Sequence, residues 1–279
     1  MSAALLPLLL LSTLGQNSPD DKPSRSNHAS LQRMLSDISE LEFSIAVEPA
    51  KKLSLSREPV LRWSNPIRNV DDAAVFVLLS KERPQLIATV MSYRDARKDL
   101  RRAYELLSLS EDRLEAVRDG AHVWRTEKPG VTWRAVPDAP APAPTAAQRR
   151  RQLHELAARF HVSVQSDKNR YELRQLSQPL YRYESAKGKI LDGALFAFVE
   201  GTDPELILVL ETATGDPKWT FAVGRMTRWE IEVRYQEKVV GELPPITGAR
   251  DAADDSYQIW DGGPLDLNQD GRGGSEKNR

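Results

Sequence analysis

The chain has 279 residues, with 39 Lys+Arg against 40 Asp+Glu, 4 His, no cysteine and a formal net charge of −1. A hydrophobic share of 40% and a charged share of 28% describe an ordinary globular chain and exclude a disordered one. Without cysteine there are no disulfides, thiolate metal sites or thiol nucleophiles, and near-neutrality argues against a dedicated nucleic-acid binder.

The N-terminus is apolar from Ala3 to Leu14 and turns polar at Gln16. About a dozen apolar residues are too few to cross a bilayer, which takes ~20, but they fit the core of a secretory signal. Thr13 and Gly15 supply the small-x-small pattern of a cleavage site, although no Lys or Arg precedes the apolar run. Residues 1–15 therefore read as a signal peptide and 16–27 as a disordered leader. The mature protein is expected to be periplasmic or extracellular, with no transmembrane segment.

A first folded region is expected over residues 28–136. It opens with a helix, Ser30–Glu42, in which Leu31, Leu35, Ile38 and Leu41 form one apolar stripe. An extended run, Leu53–Trp63, follows. Ala73–Leu79 and Leu86–Met91 then flank a short turn as a hairpin. One more strand, Tyr104–Leu109, leads to a second hairpin, Leu114–Arg118 and Ala121–Trp124, around the tight-turn pair Asp119-Gly120.

Residues 137–144 are a Pro/Ala linker, a composition that favours extended polyproline II. A second region is expected over residues 145–247. Thr145 and Gln148 form a capping box ahead of Leu153, Leu156, Ala157 and Phe160. Strands follow in the same sequence: Leu173–Tyr183, the hairpin Gly193–Val199 and Leu206–Leu210, then Trp219–Val223, then Glu230–Tyr235 and Lys238–Leu243. From Asp261 to the end, glycine and polar residues predict a disordered tail.

The two regions align without a gap. Glu58-Pro-Val-Leu-Arg-Trp63 matches Gln178-Pro-Leu-Tyr-Arg-Tyr183, and Asp72/Asp192, Phe76/Phe196, Pro84/Pro204 and Leu86/Leu206 fall at the same offset. The expected fold class is α+β: two tandem copies of a unit with an N-terminal helix packed on a curved antiparallel sheet.

Chemistry is sparse. No HExxH, P-loop or G-x-S-x-G pattern occurs, and no cofactor is expected. Asp266, Asn268 and Asp270 open like a calcium loop, but Lys277 stands where a bidentate Glu is required, so no metal site is read there. The basic runs Arg94–Arg102 and Arg149–Arg151 read as a solvated loop and a solvated helix face. Arg62, Trp63 and Asp72, with Arg182, Tyr183 and Asp192, are the candidate binding residues. A guanidinium can hold a carboxylate with two hydrogen bonds and stack on a neighbouring ring, which would make a ligand mouth once per region or a plain ion pair. Glu200, Asp203 and Glu205 are the candidates for a carboxylate-dependent hydrolase, on a hairpin turn where solvation is the simpler reading.

Four stretches carry a resemblance: Glu58-Pro-Val-Leu-Arg-Trp-Ser-Asn-Pro66, Pro129-Gly-Val-Thr-Trp-Arg-Ala-Val-Pro-Asp-Ala-Pro-Ala-Pro142, Gln178-Pro-Leu-Tyr-Arg-Tyr183 and Asp192-Gly-Ala-Leu-Phe-Ala-Phe198. With these the chain resembles an uncharacterised family of exported proteins from planctomycete-type bacteria, over roughly Ser30 to Pro245. That resemblance implies export and carries over no activity or functional residue. The leading expectation is a non-catalytic binding or envelope-associated module, partnered by an envelope protein or polysaccharide and not by nucleic acid. The rivals are the hydrolase and a scaffold that assembles through sheet edges.

Overall fold

In the computed structural model the described residues are 25–56, 58–166, 169–216, 218–247 and 256–265. The expected signal peptide, residues 16–24 of the expected leader and the partial calcium pattern Asp266, Asn268 and Asp270 lie outside them. The leader's remaining residues, 25–27, open the first helix.

The first half runs α1 (Arg25–Ser39), β1 (Glu42–Ile45), β2 (Glu48–Lys52), β3 (Ser54–Leu55) and β4 (Leu61–Asn65). After a 3-10 turn at Pro66–Arg68 come β5 (Val70–Ser80), β6 (Arg83–Arg94), β7 (Leu100–Ser108), β8 (Leu114–Arg118) and β9 (Ala121–Arg125). A short β10 (Arg134–Ala135) precedes α2 (Ala146–Ala157). The second half continues with β11 (Phe160–Gln165), β12 (Arg170–Glu172), β13 (Arg174–Gln175), β14 (Tyr181–Ser185), β15 (Ile190–Glu200) and β16 (Asp203–Ala213). Then come β17 (Thr220–Arg225), β18 (Glu230–Tyr235), β19 (Lys238–Leu243) and β20 (Tyr257–Pro264).

These elements overturn the α+β expectation. Among the described residues strands take 54% and helix 12%, in two helices, and the strands form four antiparallel sheets in place of a helix on one curved sheet built twice. Two sheets are four-stranded, β2-β1-β8-β9 and β12-β11-β18-β19. The other two are six-stranded, β20-β7-β6-β5-β3 with β4 also on β5, and β10-β17-β16-β15-β13 with β14 also on β15.

Burial explains the difference. A strand packed on one face alternates apolar and polar residues, whereas one packed on both faces is apolar throughout. In β5, Val75 and Val77 enter a core shared with Leu195, Ala197 and Val199 of β15. The alternating residues Ala74, Phe76 and Leu78 pack on the other face with Met34 and Ile38 of α1 and Phe43 of β1. Ala194, Phe196 and Phe198 of β15 do the same with Leu153 of α2 and Val162 of β11. The two six-stranded sheets are thus central layers, each covered outside by a helix and a four-stranded sheet. Fully burying a side chain such as Val77 or Leu195 contributes ~1.5–3 kcal/mol, so the shared core joins the halves strongly.

Local signals held where the chemistry was local. The side chain of Thr145 accepts the Gln148 N–H at the start of α2. Asp119 and Gly120 turn β8 into β9 with φ of 51 and 78°, the left-handed pair that a two-residue hairpin needs. The Pro/Ala linker is pinned: the Gln152 side chain accepts the Ala143 N–H at 2.8 Å and donates to the Ala141 carbonyl at 2.9 Å.

Two strands cross between halves. β10, which follows the first half, pairs with β17 of the second (Arg134↔Phe221), and β20, which follows the second, pairs with β7 of the first (Tyr257↔Leu107). The expected tail is corrected at this point, because Asp261–Pro264 complete β20. Tyr257 buries in the shared core and Trp260 stacks on Tyr104 at 5.2 Å, which holds a segment whose glycines alone predict no structure.

Candidate functional site

The six candidate binding residues separate onto two faces of their strands. Arg62 of β4 pairs with Asp72 of β5, and Ser30 of α1 donates to the same carboxylate at 2.6 Å. In the second half Arg182 Nε and Nη2 donate to the two oxygens of Asp192 at 2.9 and 2.6 Å. Arg149 of α2 adds a third bond, Nε to Oδ2 at 2.9 Å, and donates to the carbonyls of Ala143 and Pro144 at 3.2 and 3.0 Å. Arg149, expected on a solvated helix face, is 5% exposed. Trp63 and Tyr183, the next residues along, point the other way into the shared core, since successive side chains on a strand alternate. The arginine and aromatic therefore do not line a common mouth. Each Asp fastens a helix to a sheet.

Carboxylates collect between the six-stranded sheets. Arg68, at the end of its 3-10 turn, meets Glu200, and it reaches Asp203 Oδ2 at 2.9 Å and Glu205 Oε1 at 2.6 Å. The expected solvated turn is corrected: Asp203 is 9% exposed and Glu205 fully buried, because the start of β16 lies beneath Arg68 of the opposite half. Burial, reinforced by Glu205, raises the Asp203 carboxyl to about 7 against the pull of Arg68. Glu205 is raised too, by burial. Nearby Glu105 of β7 accepts the Tyr257 hydroxyl at 2.9 Å, and burial followed by Asp203 pushes it well above the carboxylate range.

A second inter-sheet network balances this one. Arg83 of β6 holds Glu211 of β16 through Nη2 at 2.8 Å and Nε at 3.2 Å, and its guanidinium lies 5.0 Å from the centre of the Trp133 ring. Tyr183 donates to the same Glu211 at 2.8 Å. Both networks tie one half to the other, and neither lines a described cavity.

The accessible chemistry lies on the outer face of the four-stranded sheet β12-β11-β18-β19. A cavity of about 690 Å³ is lined there by His161, Ser163, Arg170, Glu172, Glu232 and Arg234 among others. Alternation explains the set: Phe160, Val162 and Val164 of β11 face the core, so His161 and Ser163 face outward. Arg170 and Arg234 both donate to Glu232 Oε1, at 2.6 and 2.7 Å. The Arg234 hydrogen bond, more than any other contact, holds the Glu232 carboxyl below its ordinary range. A smaller cavity of about 410 Å³ lies beyond the other end of the same strands, lined by Gln165, Trp229, Glu230 and Ile246.

Sequence reasoning missed Glu105 and Glu211, whose one signal was a charge inside a long apolar strand, and Arg68 and Arg83, which stand in a 3-10 turn and at a hairpin turn. It also missed the outward row of β11 and β18, because Phe160 reads as the end of the helix stripe and no strand is expected at Phe160–Gln165. Among the described residues no group of three or more His, Asp or Glu is placed to hold a metal ion, and no helix is long and apolar enough to cross a membrane. Compared with family models, curated proteins and solved structures, the chain matches none.

Proposed function

We propose that the chain is an exported, non-catalytic binding module that seats a polar ligand in the cavity around Arg170, Glu232 and Arg234. The observation that carries this reading is a difference at matching registers. At one rung the two outer sheets agree, Ser163 with Glu232 and Ser44 with Glu115, and at the next they differ, His161 with Arg234 against Glu42 with Val117. The second outer sheet thus adds an arginine beside its glutamate where the first has an aliphatic residue, and such convergent polar groups over an apolar floor are what a ligand site requires. Phe160, Leu173 and Phe198 supply that floor.

The N-terminal apolar run and the resemblance to exported planctomycete-type proteins support the location, and an envelope polysaccharide or protein is the natural partner. Thermal-shift titration of the full chain with monosaccharides, amino acids and small dicarboxylates tests the site. One class is expected to raise the melting temperature of wild type and to lose that effect in Arg234→Ala. No shift with any class, or a shift that survives the substitution, would sink the reading. N-terminal sequencing of envelope or secreted protein is expected to begin at Gln16, and an intact Met1 would remove the export claim.

A further inference from the structure

We infer that the ligand is a linear, uncharged oligosaccharide lying along the outward row of β11 and β18, from the arginine cavity to the cavity at Trp229; this rests on the binding reading above. The two cavities stand at opposite ends of one strand pair. His161↔Arg234, Ser163↔Glu232 and Gln165↔Glu230 are successive outward rungs of a single ladder. The first two rungs line the larger cavity, the third lines the smaller one, and Trp229 precedes β18 at that end. Six residues of strand cover roughly 20 Å, the length of a short oligomer and far more than one small molecule needs.

The chemistry of the row selects the class. β11 and β18 are interior strands, flanked by β12 and β19. β19 pairs with β18 from Ile231 to Tyr235 and β12 pairs with β11 from Ser163 to Gln165, so an added peptide strand finds little free edge along this row. Recognition has to come from side chains, and the row offers imidazole, amide, carboxylate and guanidinium groups. Those are donors and acceptors suited to a run of sugar hydroxyls. Four glutamates against three arginines line the two cavities together, which disfavours a polyanionic polymer. Trp229 is partly exposed and packs on the core with its remaining surface, so its ring is held firmly at one end as a stacking platform. Asp112 occupies the corresponding place beyond the first half's ladder, two residues before the Leu114↔Ile45 rung, as Trp229 precedes Ile231↔Val164.

Isothermal titration of the full chain with glucose and N-acetylglucosamine oligomers of increasing length tests the inference. Affinity is expected to rise about tenfold or more from the monosaccharide to the oligomer that fills the row. Trp229→Ala should abolish that gain. Gln165→Ala, at an exposed position, should reduce the same gain several-fold without risk to folding. If monosaccharide binds in an Arg234-dependent way but length adds nothing, the extended seat is wrong and the cavity reading survives. If an Arg234-dependent ligand is found and no sugar of any length binds, the saccharide assignment falls alone. If nothing binds with Arg234 dependence, both fall.

Discussion

Asp72 and Asp192 stand at one register, opposite Ser92 and Thr212 on the neighbouring strand, yet the two halves treat them differently. The first half gives Asp72 one arginine and the Ser30 hydroxyl and leaves it part-exposed. The second half buries Asp192 completely between Arg182 and Arg149. A hydroxyl can leave without stranding a charge, whereas a buried guanidinium cannot. The same fastening of helix to sheet is therefore optional at one end of the molecule and obligatory at the other.

Removing each carboxylate gives the widest separation. Asp192→Ala strands Arg149 and Arg182 and is expected to cost ~3–5 kcal/mol in urea unfolding, whereas Asp72→Ala is expected to cost about 1. Equal losses would erase the distinction between the two fastenings.

A titration sharpens the comparison at the central hairpins. Arg83 occupies in the first hairpin the place that Asp203 occupies in the second, opposite Ser80 and Glu200 respectively. Asp203 titrates at about 7 in the folded chain and near 3.8 otherwise. The folded state therefore holds a proton that the unfolded state releases, and this stability is complete below about 4 and lost as pH rises through about 7. The raised carboxyls of Glu205 and Glu105 act in the same direction. Unfolding free energy should fall on the order of 2–4 kcal/mol across that window, and Asp203→Asn should flatten the fall. A profile that rises toward neutral pH would contradict the cluster as described.

Gly193 and Ala73 pair with Tyr183 and Trp63 in matching rungs. A Cβ built on Gly193 would sit 2.5 Å from the Tyr183 ring, which lies over it to reach Glu211. Gly193→Ala is expected to lower the melting point by the equivalent of ~1–3 kcal/mol. The first half already accepts alanine there, so a neutral result would show that Tyr183 can give up Glu211 freely.

The hairpins, the helix stripes and the constant offset between the regions were legible because each rests on neighbours in sequence. Ala73–Leu79 and Gly193–Val199 also carried a message that was not taken up: a strand apolar at every position has two covered faces, so a single helix over one sheet could not satisfy it. What covers the second face belongs to the other half, and no local pattern announces it. The buried charges share that limit. Glu105, Glu205 and Glu211 make sense inside apolar strands only once Arg68, Arg83 and Tyr257 are brought against them. Nothing in Arg170 or Arg234 distinguished them from solvated arginines until Glu232 was placed between them.

The smallest expected effect lies at the hairpin turns. Lys81 and Glu82 hold φ of 49 and 67°, and Gly201 stands at the first of these places in the second half with φ of 62°. Lys81→Gly relieves a left-handed residue at the cost of glycine's own entropy, for a net gain of a few tenths of a kcal/mol in thermal unfolding. A clear loss would mean that the two turns differ in more than composition.

The crossing of β20 onto β7 also sets an order of events during synthesis. Every other strand of the first six-stranded sheet, β3 to β7, has emerged before residue 109, but its outer edge stays unpaired until Tyr257–Pro264 has been made. A nascent chain therefore spends most of its translation with an open apolar edge that invites chaperones or wrong partners, because contacts so distant in sequence close late. Pulse-labelled chains halted at increasing lengths are expected to stay protease-sensitive across Leu100–Ser108 until residues 257–264 have cleared the ribosome. Protection before that point would show that the first half completes itself without its borrowed strand.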